Sequence, residues 1–530
     1  MACTTILVGK DASYDGSTII ARNEDSANGE FCPKRFVVVK PEEQPKHYRS
    51  VLSHIEIDLP DDPLQYTAVP NADLKEGIWG EAGVNEANVA MSATETLTTN
   101  ERVLGADPFV ELTPAKGQPG ADGYEPEVPG GIGEEDFLTL VLPYVKTARE
   151  GVTRLGELLE KHGTYEMNGV AFSDVNEIWW LETVGGHHWI AKRVPDEAYV
   201  TMPNQLGIDE FDLDDALGDQ EEHMCSADLG EFIERNHLDL AVENVTPFNP
   251  RDAFGSHSDS DHVYNTPRAW YMQRFLNPYD EQWDGQDADH QPTSDDIPWA
   301  RQPDRKITIE DVKYVLSSHY QGTPYDPYGI LGDQHSRHMF RPIGINRQSQ
   351  LSVMQIRPYR PQVNRAVQWI AYGSNPFNTL VPFYPNVGST PKYLEDTTTR
   401  VTSENFYWEN RIIAALCDAN FADTSNAVER YQEKTGGMGH RMIAATDEQI
   451  ARLVEGVSDE FETDDENGDV QPLEPDEVIK AVRNGEARDV LAAANETMAA
   501  QLKEKTDKLL DSVLYTTSMN MKNGFHMSDF

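Results

Sequence analysis

The sequence is short of positive charge. It carries 44 Lys and Arg against 90 Asp and Glu, for a formal net charge of −46 and an isoelectric point near 4.5. A surface with that balance repels nucleic-acid phosphates and anionic lipid headgroups, so neither is an expected partner. Cysteine is scarce as well. Cys3, Cys32, Cys225 and Cys417 are irregularly spaced and form no CxxC pair. That spacing argues against a disulfide framework or a zinc ribbon and points to a reducing compartment, the cytoplasm. No apolar run has the length of a membrane span. The opening MACTTILVGKDASYDG lacks the basic and then apolar segments of a secretory signal.

Metal and nucleotide motifs are missing too. No HExxH or EF-hand loop is present. His187 and His188 are adjacent on an expected strand, so they should face opposite sides. His335 and His338 have no matching third ligand, and HSDSDH (257–262) reads as a polar loop. GGIGEED (130–136) follows no strand and lacks the Lys-Ser/Thr of a P-loop, so it reads as a loop and a helix start. No metal and no cofactor is expected.

What is present supports a sizeable core. Hydrophobic residues make up 38% of the 530, with plentiful Trp, Tyr and Phe. Length alone suggests two to four domains, although layered sheet folds run longer as one unit. CTTILVG (3–9) and STIIAR (17–22) flank the turn-like KDASYDG, which predicts an N-terminal hairpin starting at Cys3. A Gly-rich turn within Gly77–Thr96 leads into another strand. Residues 105–134 read as an exposed loop and 135–161 as two helices broken near Pro143. Residues 169–200 read as a strand meander, 350–373 as two strands, and 404–434 and 486–515 as helices. Trp179-Trp180 and the stretch Phe377 to Tyr384 read as core. The run 457–479 is rich in acids, carries no basic residue and reads as a solvated connector. Strands come first and helices last, which predicts an α+β layered fold with a C-terminal helical extension. The expected division is 3–400 for a catalytic domain with surface insertions and 401–530 for a mainly helical region packed on it.

Cys3 is the leading candidate for chemistry. It begins a strand, only Met-Ala precedes it, and the polar run Arg22-Asn23-Glu24-Asp25 should sit beside it across the hairpin. With the bend near Ala12 or Ser13, Cys3 would lie opposite Arg22 or Asn23. A thiol attacks only as thiolate, and a free N-terminal amine with a pKa near ~8 is one base that can generate it. Arg22 would favour the thiolate, and Asp25 would accept from an ammonium of the enzyme or substrate. Asn204, at the end of EAYVTMPNQ, is placed either to donate to an oxyanion or to shape a turn.

These residues together resemble a known family. CTTILVGKDASYDGSTIIARNEDS, GIWGEAGVNEANVAMSATET, LGADPFVE, GIGEEDFLTLVLPYVKTAREGVTRLG, IWWLETVGGHHWIAKRVPDEAYVTMPNQ and HYQGTPYDPYG are similar to blocks of the bacterial cysteine dipeptidases of the dipeptidase A type. Those are N-terminal nucleophile (Ntn) hydrolases related to secernins. The resemblance implies a four-layer αββα sandwich and metal-independent hydrolysis of dipeptides by a thiol protease mechanism. In the wider group of penicillin V acylase and bile salt hydrolase, a cysteine is followed by an Arg-x-x-Asp pair, which here falls on Cys3, Arg22 and Asp25. The strand-end Asn of that group is similar to Asn204. A second oxyanion-side Asn would fall near Glu95, and an ionised carboxylate cannot donate. Backbone N–H groups would then serve, with Glu95 holding the substrate ammonium. The late Arg of that group has no obvious counterpart. The alternatives are an Ntn acylase acting on a non-peptide amide and a non-catalytic secernin-like interaction protein. Homo-oligomerisation stays open.

Overall fold

The computed structural model describes residues 3–27, 29–241, 247–458, 463–464, 470–471 and 485–524. In chain order the strands that build its two large sheets are β1 (Cys3–Val8), β2 (Thr18–Asp25), β3 (Ala82–Val84), β4 (Ala90–Thr96), β5 (Asn168–Ser173), β6 (Ile178–Thr183), β7 (Trp189–Arg193), β8 (Tyr199–Met202), β9 (His223–Cys225), β10 (Ala300–Arg301), β11 (Gln348–Ile356), β12 (Ala366–Tyr372) and β13 (Val381–Phe383). One sheet has seven strands in the order β10-β8-β1-β2-β11-β12-β13. The other has six, in the order β9-β7-β6-β5-β4-β3. All the pairings are antiparallel. The fold is mixed α+β. Among the described residues, no helix is long and apolar enough to cross a membrane.

The main helices are α1 (Glu134–Val141), α2 (Ala148–His162), α3 (Thr266–Leu276), α4 (Ile309–Leu316), α5 (Phe406–Asp418), α6 (Phe421–Ser458) and α7 (Gly485–Met519). A short 3-10 turn, Leu142–Tyr144, carries Pro143 between α1 and α2, where an interior proline would remove a helix hydrogen bond. GGIGEED does begin a helix: Gly133 is the N-cap of α1, and Asp136 accepts from its N–H at 2.8 Å. The acidic connector 457–479 lies largely outside the described residues.

Alternation along β1 and β2 divides the core. Leu7 and Ile20 share a buried cluster with Ala82, Ala90, Ala171 and Trp180 of the other sheet. Ile6, Val8, Ile19 and Ala21 pack instead with Met272 of α3, Val312 and Leu316 of α4, and Leu491 of α7. The far face of the six-stranded sheet, with Met91, Phe172 and Trp179, meets Phe137 of α1 and Val152 and Leu155 of α2. The C-terminal helices share a cluster with β12 and β13: Ile370, Tyr372, Val381 and Phe383 pack with Phe406, Met438 and Leu502. Helix α6 approaches β13 closely at Gly439, where a Cβ would stand 2.6 Å from Pro382 Cδ.

The hairpin register differs from the expected one. Cys3 pairs with Glu24 and Thr5 with Arg22. That register centres the turn between Ser13 and Tyr14, and Asp15 and Gly16 lie on its returning side. Asp15 accepts from Ser17 N at 3.1 Å, and Gly16 takes the left-handed φ of 82°. Leu7→Ala should cost about 2–5 kcal/mol of stability, because its cluster joins both sheets and cannot collapse on one side alone. Urea denaturation measures that loss.

Candidate functional site

The site forms where β1 begins. Cys3, Thr5, Arg22 and Glu24 lie on one face of the hairpin, the face turned toward β4 of the other sheet. Arg22 is the diagonal neighbour of Cys3, and a long side chain spans that separation. Its Nη1 donates to Cys3 Sγ at 3.0 Å and to the Thr94 carbonyl. Nε donates to Ser92 Oγ at 3.1 Å, and Nη2 to the Ala93 carbonyl at 2.9 Å and to the Glu81 carboxylate. The two carbonyls are available because β4 carries an extra residue against β5: Ala93 pairs with Val170 and Glu95 with Gly169.

A buried charge network surrounds this guanidinium. Glu81 also receives Lys34 Nζ at 3.1 Å, and Lys34 reaches Glu24 at 2.9 Å. Glu134, on the first turn of α1, lies 3.6 Å from Arg22. All five residues are at most 1% exposed. Glu81 has φ 63°, a left-handed conformation that a non-glycine residue adopts only when its surroundings impose it; its two ion pairs do so here. Burial pushes the carboxyls of Glu24 and Glu134 up. Burial also pushes the Cys3 thiol well above its ordinary value, and Arg22 only partly opposes this. Burial therefore favours the neutral form of the sulfur, and the neighbouring guanidinium favours the charged one.

The Cys3 backbone is fixed from the other side. Asn204 follows β8, and its Oδ1 accepts from Cys3 N at 3.3 Å and from Arg268 Nη2 at 2.8 Å. Since a guanidinium only donates, the carbonyl end of that amide must face it. Asn204 Nδ2 gives one hydrogen to the Thr96 carbonyl at 2.8 Å. Arg268, from α3, also donates to the Cys3 carbonyl and to Thr4 Oγ1, the latter at 2.7 Å. Burial lowers its pKa to about 10, still far above neutrality. Glu95 Oε2 accepts from Thr5 Oγ1 at 2.8 Å, while its Oε1 is buried without a hydrogen-bond partner. Burial pushes this carboxyl up to about 8. Asp25 is ion-paired with Arg341, and its charge is felt at Glu95.

The residue-2 to residue-434 portion of the sequence matches the profile of Peptidase family C69. A protein of Bifidobacterium longum (strain NCC 2705) described as Dipeptidase is 83% identical over 539 residues, covering 100% of both chains. The chain belongs to Peptidase family C69. A Probable dipeptidase A of Streptococcus pyogenes serotype M3 (strain SSI-1) is 52% identical over 529 residues, again 100% of both. A Dipeptidase A of Lactobacillus helveticus is 46% identical over 454 residues, 85% of this chain and 89% of the other.

In this C69 chain, Cys3, Arg22, Glu95 and Asn204 come together around one sulfur and one backbone nitrogen. Asp25 borders them through Arg341. Sequence reasoning missed Lys34, Glu81, Glu134 and Arg268. The acids had one signal, since GIWGEAG and GIGEED set a carboxylate directly after a glycine beside apolar runs. Arg268 had none. The histidine pair needs a correction. His187 and His188 precede β7 and do not diverge: both Nδ1 atoms meet Asp107, at 3.0 and 2.7 Å. The turn they close lets both rings reach one acceptor. In HSDSDH, Asp261 accepts from Ser256, Ser258 and Asn265. No group of three or more His, Cys, Asp or Glu among the described residues is arranged to hold a metal.

The Glu95 shift has a consequence for stability. Its folded carboxyl titrates near 8 and its unfolded one near the ordinary 4.5, so the folded state holds the extra proton between those values. Stability should therefore fall as pH rises through that window. Glu24 and Glu134 act in the same direction. Glu95→Gln should flatten the slope, read as urea midpoints at about pH 5 and pH 8.

Proposed function

We propose that this chain is a dipeptidase on a four-layer Ntn-hydrolase sandwich, and that Cys3, freed at its amine by loss of the residues before it, is the nucleophile. The observation that carries the reading is the contact of Arg22 with Cys3 Sγ, beside a Cys3 nitrogen held by Asn204. The names of the similar proteins supply the substrate class.

In this reading the Cys3 α-amine takes the thiol proton, directly or through one water. The guanidinium at 3.0 Å offsets the charge left on sulfur. Sulfur adds to the peptide carbonyl of the dipeptide. An amide nitrogen carries two hydrogens, and Asn204 Nδ2 has one beyond that given to Thr96, which we assign to the developing oxyanion together with backbone N–H groups. The α-ammonium protonates the leaving amine, the carboxy-terminal amino acid departs, and a thioester remains. Water attacks it with the same amine as base, which restores the thiol. Glu95 receives the substrate ammonium on its unpartnered oxygen, and a cation there draws the carboxyl to its ionised form. Arg268 holds the Cys3 carbonyl still. Asp25 acts through Arg341 and keeps that charge at the edge of the site.

Two measurements test this. Active protein should begin at Cys3 in N-terminal sequencing, and Cys3→Ala should abolish dipeptide turnover with the fold retained. Turnover by a chain that keeps Ala2, or by Cys3→Ala, would sink the mechanism. Separately, Glu95→Gln should raise KM for dipeptides by about 10-fold, the loss of one charge-assisted hydrogen bond, with a smaller change in kcat.

A further inference from the structure

At the start of β11 stands a positive charge that makes no ion pair among the described residues. Arg347 immediately precedes β11, and its carbonyl accepts from Ser26 N at 3.0 Å and Ser26 Oγ at 2.9 Å, which pins it to the end of β2. Its Nη2 donates to the Tyr264 hydroxyl at 2.7 Å. Its Nε is buried with no acceptor, and the side chain makes no ion pair among the described residues. Arg347 as a whole is half-buried.

Tyr264 gathers two further cations. Arg341 Cζ lies 4.9 Å from its ring centroid and Arg268 Cζ lies 5.3 Å from it. Arg268 is the residue that grips the Cys3 carbonyl, so the cluster adjoins the sulfur site. Asp25, paired with Arg341, is the one carboxylate ion-paired with any of the three among the described residues. In a chain of net charge −46 this is a local inversion of sign. A guanidinium with an unused Nε donor matches a planar carboxylate, which accepts two parallel N–H bonds.

We propose that Arg347, seated on Tyr264, binds the free α-carboxylate of the substrate's carboxy-terminal residue. The inference rests on the dipeptidase reading and deepens it. With the ammonium at Glu95 and the carboxylate at Arg347, both ends of the substrate are bound. Each added residue lengthens an extended peptide by about 3.3–3.6 Å, so a fixed carboxylate seat limits substrate length.

The test compares one dipeptide with its carboxy-terminal amide on the wild-type chain, Arg347→Gln and Arg347→Lys. The wild type should prefer the free acid. Arg347→Gln should raise KM for the acid by about 10–100-fold, the worth of a charge-assisted hydrogen bond, and bring the acid-to-amide ratio of kcat/KM close to unity. Arg347→Lys should restore part of the preference. Tyr264→Phe, which removes only the hydroxyl that seats Arg347, should shift the ratio in the same direction and covers the case in which Arg347→Gln does not fold. Equal losses on acid and amide, or no change on either, would overturn the subsite. Failure of the wild type to hydrolyse any dipeptide would overturn the functional reading and the subsite with it; wild-type turnover with no discrimination by the variants would overturn the subsite alone.

Discussion

The buried guanidinium of Arg22 is the interaction on which the rest of the site depends. A fully buried cation costs several kcal/mol unless its charge and its donors are answered. Here each of its nitrogens has an acceptor: Ser92, the carbonyls of Ala93 and Thr94, Glu81 and the sulfur of Cys3. Most of those acceptors belong to the six-stranded sheet or its leading loop, while Arg22 and Cys3 belong to the seven-stranded one. One side chain therefore ties the two sheets together at the sulfur. The bulge in β4 and the left-handed Glu81 are backbone irregularities that this tie requires.

The same low-dielectric setting distributes protons unevenly. Carboxyls at Glu24, Glu95 and Glu134 are pushed up by burial, and so is the thiol. Burial opposes the charge on Arg22 and Lys34, and the groups that face them more than offset it: Cys3 and Glu81 for Arg22, Glu24 and Glu81 for Lys34. A resting thiol next to a fixed cation is stable until a base removes its proton, and the cation then favours the charged product. Asn204 and Arg268 complete the site by holding the nitrogen and the carbonyl of the same residue.

Much of this was legible in the sequence, for identifiable reasons. The β-branched runs at 3–8 and 18–22 and the turn between them named the hairpin, and cross-strand pairing set the polar run Arg22 to Asp25 beside Cys3, with Arg22 or Asn23 opposite it. The break at Pro143 and the helix start after Gly133 followed from backbone chemistry. The observed partner of Cys3 lies one residue beyond the expected pair, because composition does not fix the centre of a turn as long as residues 9–17. Asp25 reads as a partner of Cys3 by spacing, yet its ion pair is with Arg341, more than 300 positions along the chain. Arg268 and Lys34 were invisible for the same reason. A single cation on a helix or in a loop has no local pattern, and only the tertiary fold brings it to Cys3. His187 and His188 were misjudged because strand alternation was extended into a turn.

The central claim is that sulfur of Cys3 carries the acyl group. The most direct measurement is rapid acid quenching of the chain during turnover of a dipeptide, followed by tryptic digestion and mass spectrometry. The account predicts an acyl adduct, with the mass of the substrate's amino-terminal residue, on the peptide Cys3–Lys10, labile to hydroxylamine. Continued dipeptide turnover with that peptide unmodified, or with the adduct on Cys32, Cys225 or Cys417 instead, would contradict it.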